Sequence, residues 1–314
     1  LEKEKAKSVE NYLSKHFIEK VIGHFSMLLF SLIVAGSFSF GKLISGDIDP
    51  IPLTAARFFV AALVLGIVLT VTGKWKVRHY ASPWRFLLLG SMYAIFFVFM
   101  FEALKTSTVT STSAIFTLMP LMAMLLDWQI TGRRQSYLVV LAILIGAIGA
   151  LWIIFNGRIE NVTSLKIGKG EVLFFFGTLS HAAYAVFVPI LRRGEPIYAT
   201  TFGVALGGAF LLCFIAWQSI LNTDWTGLRL LVFATILYLA IFASLGTFSL
   251  ITIASSRLSS TKVTAYTYMI PFWVVLLEYF LGHGWPGFII LSGGMFIFAA
   301  LIMLFREAEI VRKK

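Results

Sequence analysis

The sequence predicts an all-α polytopic membrane protein with ten transmembrane helices, arranged as two inverted five-helix repeats around a central cavity. Of its 314 residues, 59% are hydrophobic and 13% are charged, whereas soluble domains are roughly half apolar and a quarter charged. The apolar residues fall into runs of about 20, the length that crosses a hydrocarbon core of about 30 Å as a helix. A segment that occurs twice in the chain predicts the repeat.

The predicted spans are numbered 1 to 10 in chain order, and turn or breaker residues such as Asp49-Pro50 and Gly132 separate them. Their predicted ranges are 24–42, 50–72, 85–102, 107–130, 136–155, 170–191, 197–220, 229–250, 260–281 and 286–305.

The longest connection divides these spans into two halves. The predicted organisation is a cytoplasmic tail that is either an amphipathic helix or disordered, a first repeat, an outside linker, a second repeat and a basic cytoplasmic tail. These parts are predicted at 1–22, 23–155, 156–169, 170–305 and 306–314.

The positions of lysine and arginine predict the orientation in the membrane. With the N-terminus in the cytoplasm, 19 of them lie on the cytoplasmic side and 6 on the other, which satisfies the positive-inside rule. Both termini are therefore predicted to be cytoplasmic, in a bacterial inner membrane. Because the net charge of +11 arises mainly from short loops, it predicts contact with the lipid bilayer and no nucleic acid. The sequence is compatible with a monomer and with a homodimer.

A polar-to-proline segment occurs in span 4 and again in span 9, at an offset of 151 residues. The offset aligns Pro120 with Pro271 and Asp127 with Glu278. Because each repeat contains an odd number of spans, the second copy is predicted to be inverted. Secondary transporters commonly build a site at the bilayer midplane between such repeats. The prolines are predicted to shape spans 4 and 9.

The repeated acids lie within spans, where ionisable side chains are usually functional. Each lies seven residues after its proline, on the same helix face. Asp127 and Glu278 are therefore predicted to act as gates, or to bind a proton or cation, during transport. The alternative is that each is an acid near the membrane interface, with a nearby arginine such as Arg133 or Arg134 as a partner.

Two further ionisable side chains lie within spans. His181, near the middle of span 6, is predicted either to contact the substrate or relay protons, or to form a hydrogen bond to a neighbouring helix. Arg57 in span 2 is predicted either to bind a carboxylate or phosphate of the substrate, or to have a structural role, in which it snorkels outward or pairs with Glu102.

Aromatic residues provide the remaining candidate substrate contacts. Rings in a cavity can hold a quaternary amine by cation–π contact or stack on an aromatic compound, although core packing is the alternative for each of them. The candidates are Tyr93, Phe116, Tyr184, Tyr238 and Tyr266.

The inverted halves, the two proline segments and residues 49–58 at the start of span 2 resemble the drug/metabolite transporter superfamily, and most closely its EamA-type branch. The resemblance implies export or exchange of amino acids, drugs, sugars or phosphorylated metabolites through a central cavity. It also implies that spans 1, 3, 4, 6, 8 and 9 line the cavity, and that spans 5 and 10 lie towards the periphery.

The predicted function is secondary-active transport of a small molecule by alternating access, either with protons as a second partner or without them. The first interpretation is export of amino acids or of drug-like or cationic compounds. The alternative is obligate exchange of an anionic metabolite that carries a phosphate or carboxylate. The sequence contains no hydrolase, metalloprotease or nucleotide-binding motif, so no catalytic activity, cofactor or metal is predicted.

Overall fold

The computed structural model describes residues 2–132, 134–155, 157–158, 160, 167–255, 257–258, 263, 265–284 and 287–310. Every regular element within these residues is a helix, which confirms the all-α prediction. Much of the predicted linker, and the end of the basic tail, lie outside the described residues.

The α-helices are numbered in chain order. Their bounds are α1 Glu2–Leu43, α2 Pro50–Val71, α3 Trp84–Thr106, α4 Val109–Phe116, α5 Met119–Thr131, α6 Tyr137–Ile154, α7 Lys169–Leu191, α8 Ile197–Ile215, α9 Trp217–Leu221, α10 Leu230–Leu237, α11 Thr247–Ser255, α12 Ile270–Phe280 and α13 Phe288–Ile310. The described residues also form two 3₁₀-helices, Val77–Tyr80 and Tyr266–Met269, and one π-helix, Tyr238–Gly246. The predicted tail 1–22 belongs to α1 from Glu2 onward, in one helix with span 1.

Seven of the predicted spans are helical stretches long and apolar enough to cross a membrane, namely spans 1, 2, 3, 4, 6, 7 and 8. Spans 5 and 10 contain shorter apolar helices, at Tyr137–Ile153 and Leu291–Leu304. The described part of span 9 includes the 3₁₀-helix Tyr266–Met269 followed by α12. The chain therefore provides a helical segment at each of the ten predicted positions.

Spans 4 and 9 are each interrupted just before their proline. In span 4, α4 ends at Phe116 and α5 begins at Met119, with Pro120 in its first turn. In span 9, the 3₁₀-helix gives way to α12, whose first turn contains Pro271. Proline lacks an N–H and restricts the residue before it, so it starts a helix more readily than it continues one. Each repeat therefore has the same break at the same place.

Spans 3 and 4, and their counterparts spans 8 and 9, pack on spans of the other half of the chain. Span 3 packs on spans 6 and 7, and its counterpart, span 8, packs on spans 1 and 2. Span 4 packs on span 6, and its counterpart, span 9, packs on span 1. The helices thus form two bundles, each drawn from both repeats. Bundle 1 contains spans 1, 2, 8 and 9, bundle 2 contains spans 3, 4, 6 and 7, and contacts between spans 2 and 7 join them.

The molecule has two ends, which are named here by their loops. The basic face carries the loops 72–83, 132–136 and 192–196, and the opposite face carries the loops 44–49 and 222–229. The basic face is the one that the distribution of lysine and arginine predicts to be cytoplasmic.

A buried ion pair ties bundle 2 together at the basic face. Arg85, at the start of span 3, donates to Glu195 Oε1 at 2.6 Å, and the two side chains are 4% and 5% exposed. Burial raises the pKa of Glu195, but hydrogen bonds from Arg85 and from the backbone N–H of Arg193 outweigh it, so this pKa lies below its ordinary value. The loop between spans 6 and 7 is thereby held against span 3.

Polar contacts join the two bundles at the opposite face. Lys42 Nζ, at the end of span 1, donates to the carbonyl oxygens of Leu104 at 2.5 Å and Ser107 at 3.2 Å. Lys105 Nζ lies 2.9 Å from Asp49 Oδ1. A cation at the C-terminal end of a helix interacts favourably with the helix dipole, and Lys42 occupies this position for span 3. These contacts close the opposite face.

Candidate functional site

A cavity of about 730 Å³ lies between the bundles, and all ten spans contribute to its lining. This volume is in the range that holds small molecules. Spans 5 and 10, which the resemblance places towards the periphery, also contribute, through Val139 and Ile143 of span 5 and Leu304 of span 10. The expectation of six lining spans is therefore corrected, because spans 2, 5, 7 and 10 also contribute lining residues.

The cavity opens towards the basic face. Its lining there includes Gln135, in the loop after span 4, and Pro189, in the last turn of span 6. Towards the opposite face the lining ends at Phe38 and Met100, and beyond them Leu104 is fully buried. The cavity is thus a blind pocket whose closed end lies below the Lys42 contacts.

Arg57 lies at the closed end of the cavity and is fully buried. Its Nε donates to Ser244 Oγ at 3.3 Å, and its Nη2 donates to Ser244 Oγ at 3.1 Å and to the carbonyl oxygen of Ala243 at 3.3 Å. Its Cζ lies 3.5 Å from the centroid of the Phe97 ring, which is a cation–π contact. The Nη1 atom has no hydrogen-bond partner among the described residues.

The predicted structural role of Arg57 is wrong in its details. Arg57 does not snorkel outward, because it is buried, and Glu102 pairs with Lys105 at 3.1 Å. Its partners Ala243 and Ser244 belong to the π-helix of span 8. Such helices are rare and occur frequently at functional sites.

His181 lies in a group of aromatic rings that we call the ring wall, consisting of Tyr93, Phe96, Phe116, His181 and Tyr184. The His181 ring stacks on Phe96 at 4.4 Å between centroids and 22° between planes, and on Phe116 at 5.4 Å and 16°. Tyr93 stacks on Tyr184 at 4.7 Å and 14°. All five rings line the cavity, and His181 Nδ1 is buried with no partner in the described part of the chain.

Asp127 and Pro120, on the same face of span 4, also line the cavity. Asp127 is half-buried and accepts a hydrogen bond from Thr131 Oγ1 at 3.0 Å. One predicted partner of Asp127, Arg133, lies outside the described residues. The structure therefore brings Asp127 to the open end of the cavity.

Glu278 and Pro271, the counterparts in span 9, do not line the cavity. Glu278 Oε2 lies 2.8 Å from His283 Nδ1, near the end of α12. Its Oε1 is buried without a hydrogen-bond partner among the residues described. The two repeated acids thus lie towards opposite faces, and only Asp127 contacts the cavity in this conformation.

Two predicted substrate contacts lie elsewhere. Tyr238 donates its hydroxyl to the carbonyl oxygen of Ile33 at 2.7 Å, and the Tyr266 hydroxyl lies 2.8 Å from His24 Nδ1. Both tyrosines thus bind span 1 within bundle 1 and are absent from the cavity lining. Their placement corrects the prediction, because helix neighbours take the hydroxyl groups that were expected to face a substrate.

Ser244 is a site residue that the sequence prediction missed. Tyr268, an aromatic residue on a span that was predicted to line the cavity, does line it; it is 1% exposed, and its hydroxyl has no partner among the described residues. The offset of 151 aligns Tyr268 with Thr117, at the break of span 4. Regular α-helical spacing could not show that Tyr268 faces the cavity and Tyr266 does not, because successive side chains of a 3₁₀-helix project at different angles from those of an α-helix.

Residues 21–155 and 168–306 match the model of the EamA-like transporter family. An uncharacterized transporter, YyaM, of Bacillus subtilis (strain 168) is 25% identical over 84% of this chain and 87% of its own length. An uncharacterized transporter of Archaeoglobus fulgidus is 26% identical over 89% of this chain and 96% of its own length. A solved crystal structure has the same fold, with a TM-score of 0.67 and 20% identity over 93% of this chain and 98% of that one.

Proposed function

We propose, because this chain belongs to the EamA-like transporter family, that it moves a small metabolite across the membrane by secondary-active, alternating-access transport. The supporting observation is the cavity, which is open at the basic face and closed at the opposite face by the Lys42 and Lys105 contacts. Alternating access needs a site between two bundles that opens to one face at a time. The proposal involves no catalytic step.

We propose that the direction is export. The positive-inside rule predicts that the basic face is cytoplasmic, so the open cavity would take up its substrate from the cytoplasm. Release then requires that the contacts of Lys42 and Lys105 break while the basic face closes. A bacterial inner membrane is the location in which we expect this cycle.

The two repeated acids are proposed to act in this cycle as gates or as sites for a coupling proton or cation. Asp127 faces the open end of the cavity, and Glu278 lies near the opposite face with one buried carboxylate oxygen unpartnered among the described residues. If the bundles rock and the cavity opens at the opposite face, Glu278 would lie at its open end there, as Asp127 does now at the basic face. This exchange of roles is what an inverted repeat makes available.

Exchange of an anionic metabolite is the second candidate, and Arg57 favours it. Its guanidinium lies at the closed end with Nη1 free, and no carboxylate is bonded to it within the described residues. This favours an anion over the drug-like cation of the first interpretation.

Counterflow in proteoliposomes tests the proposal. Vesicles would be preloaded with a labelled amino acid, an aromatic amine, an aromatic carboxylate or a sugar phosphate, with and without a pH gradient. We expect one class to exchange, and a response to the pH gradient would identify protons as the coupling ion. Flux that appears only when the other side holds an anion would replace export by exchange. Absence of flux for every class, together with a cavity that never opens to the opposite face, would refute transport.

A further inference from the structure

We propose that the substrate is a small aromatic carboxylate, whose anionic oxygens bind Arg57 Nη1 and whose flat ring stacks on the ring wall. The inference rests on the proposed transport function and assigns its substrate class. It follows from the charge at the closed end, the spacing of the charges along the cavity, and the near-parallel rings.

The charge at the closed end is only partly compensated. A guanidinium has five N–H groups; those on Nε and Nη2 of Arg57 bond Ser244 and Ala243, and the pair on Nη1 is free among the described residues. A buried cation without a counter-charge is costly inside a membrane protein. A carboxylate accepts strong, charge-assisted N–H bonds from a guanidinium, so it would supply the missing charge and a partner for Nη1.

The spacing of charges disfavours an α-amino acid. Arg57 lies seven residues into α2 from the opposite face, about 10 Å along the helix, whereas Asp127 lies four residues before the end of α5 at the basic face, about 6 Å along it. In a membrane core of about 30 Å the two charges are therefore on the order of 10 Å apart along the membrane normal. An α-amino acid carries its two charges on neighbouring carbon atoms, so it cannot contact both residues at once.

The ring wall favours a flat substrate. Its stacked pairs have interplanar angles of 14° to 22°, and a further ring, Phe58, stacks on Tyr93 at 14°. Rings aligned in this way present their faces in one direction, and an incoming aromatic ring can continue the offset stack. A saturated ring of the same size is puckered and keeps only part of this contact.

Two further buried polar atoms also indicate a ligand. His181 Nδ1 and the Tyr268 hydroxyl both belong to cavity-lining residues and have no partner among the residues described. Buried polar groups are almost always hydrogen-bonded, so unpartnered ones facing a cavity are expected to be completed by a bound molecule or by water.

The test measures ligand-induced thermal stabilisation of the purified full chain with four probes of similar size. They are naphthoate, its neutral amide, naphthylmethylammonium, and the saturated decahydronaphthoate. A ligand that binds only the folded state raises Tm with concentration, which gives an apparent Kd for each probe. We expect naphthoate to bind at least about ten-fold more tightly than the other three, a difference of about 1.4 kcal/mol. Equal binding of the ammonium or of the saturated acid would overturn the proposal.

Variants separate the two halves of the inference. Arg57→Lys keeps the charge but loses the paired N–H groups, so naphthoate should bind about ten-fold more weakly, whereas Arg193→Gln, at the basic face, should change nothing. Phe116→Leu keeps an apolar side chain but removes a ring, so it should weaken naphthoate and leave decahydronaphthoate unchanged. If Arg57→Lys does not fold, Phe116→Leu still tests whether the substrate ring stacks on the ring wall, and the neutral amide still tests whether its negative charge is needed.

The same protein distinguishes this inference from the function on which it rests. If the cavity opens alternately to both faces but naphthoate neither binds nor exchanges in counterflow, the substrate class is wrong and transport stands. If naphthoate binds but the cavity never opens to the opposite face, transport is wrong and the assigned binding site stands.

Discussion

At the scale of single residues, the cavity contains polar atoms that the protein itself leaves unpartnered. Arg57 Nη1, His181 Nδ1 and the Tyr268 hydroxyl are buried without partners among the described residues. Each such group costs about 1–3 kcal/mol when nothing satisfies it. A substrate that satisfies them gains binding energy that a purely apolar pocket could not provide.

The repeated acids provide a first prediction. Asp127→Asn and Glu278→Gln each remove a titratable carboxylate and keep its shape, so flux driven by a pH gradient should fall about ten-fold or more if the acids carry the coupling ion. Counterflow without a gradient should fall less, because it does not require proton movement. Asp224→Asn is the matched control, since Asp224 accepts hydrogen bonds from Thr226 and Gly227 in the loop 222–229 and does not line the cavity. Unchanged gradient-driven flux in both acid variants would end the coupling role.

Glu195 provides a prediction on pH and stability. Its folded pKa is lowered, so its contribution to stability is present above the unfolded pKa of about 4.3 and is lost as the pH falls through the folded value. Glu195→Gln leaves Arg85 buried without its counter-charge, at a cost of about 3 kcal/mol at neutral pH. We expect the Tm of the variant to be lower at pH 7, to approach that of wild type as the pH falls below about 4.3, and to converge on it once the pH is below the lowered folded pKa.

The pH dependence of other acids does not obscure this comparison. Asp224 also has a lowered pKa, because the Thr226 hydroxyl and the Gly227 N–H donate to it, but it is unchanged in both proteins. The difference between the two thermal profiles therefore isolates Glu195. Parallel profiles from acid to neutral pH would show that the ion pair does not stabilise the fold.

What the sequence predicts at this scale depends on the range of the contacts. Asp127, Pro120 and His181 are intramembrane residues on lining spans, and the structure brings all three to the cavity. The partner of Arg57 could not be predicted, because Ser244 lies 187 residues away. The partners of Tyr238 and Tyr266 could not be predicted either, because composition does not show which neighbouring group forms a hydrogen bond with a hydroxyl.

At the scale of elements, the two proline breaks connect the repeat to the cavity. Spans 4 and 9 are predicted as helices that continue through their prolines, but in span 4 the helix stops at Phe116 and starts again at Met119. The break follows from proline chemistry and occurs again before Pro271, so the repeated prolines mark its position in both halves. The π-helix of span 8 had no comparable signal, because no residue type enforces one.

Close contact between spans 3 and 7 gives a prediction on stability. A Cβ atom added at Gly90 would lie 2.8 Å from the carbonyl oxygen of Val204 and 3.0 Å from the carbonyl carbon of Gly207, and both are backbone atoms. Gly90→Ala should therefore force the helices apart and destabilise the fold by about 1–3 kcal/mol, seen as a lower Tm. Gly46→Ala is the control, because nothing lies within 4 Å of its Cβ position. Equal melting temperatures for both variants would contradict this packing.

At the scale of the whole molecule, each bundle combines spans from both repeats. The Arg85–Glu195 pair lies within bundle 2, and the Arg257–Glu19 pair lies within bundle 1. These contacts can persist while the bundles move as bodies. The contacts of Lys42 and Lys105 at the opposite face join one bundle to the other, so they must break before the cavity can open there. The resemblance predicts two halves around a cavity, whereas the packing shows which spans of each half belong to which bundle.

Lys42 is the contact between bundles that can be weakened most selectively. Its half-buried ammonium holds two carbonyl oxygens of span 3, whereas the Lys105–Asp49 pair is more exposed and contributes little. Lys42→Met keeps the length of the side chain but removes both charge-assisted hydrogen bonds, which are worth about 1.5–3 kcal/mol each at most. A loss of about 1.4 kcal/mol shifts the equilibrium between the two open forms about ten-fold towards the opposite face.

A single reporter cysteine measures this shift. Met100→Cys, in a Cys213→Ala background, places a thiol at the closed end of the cavity, where Met100 is 1% exposed. An impermeant thiol reagent applied at the opposite face should label it about ten-fold faster in Lys42→Met than in the parent. Lys169→Met, at the same face and with no ion pair in the described part of the chain, should label at the parental rate. If Lys42→Met labels no faster than this control, the contact does not hold the opposite face closed, and the barrier lies in the apolar packing around Leu104 instead.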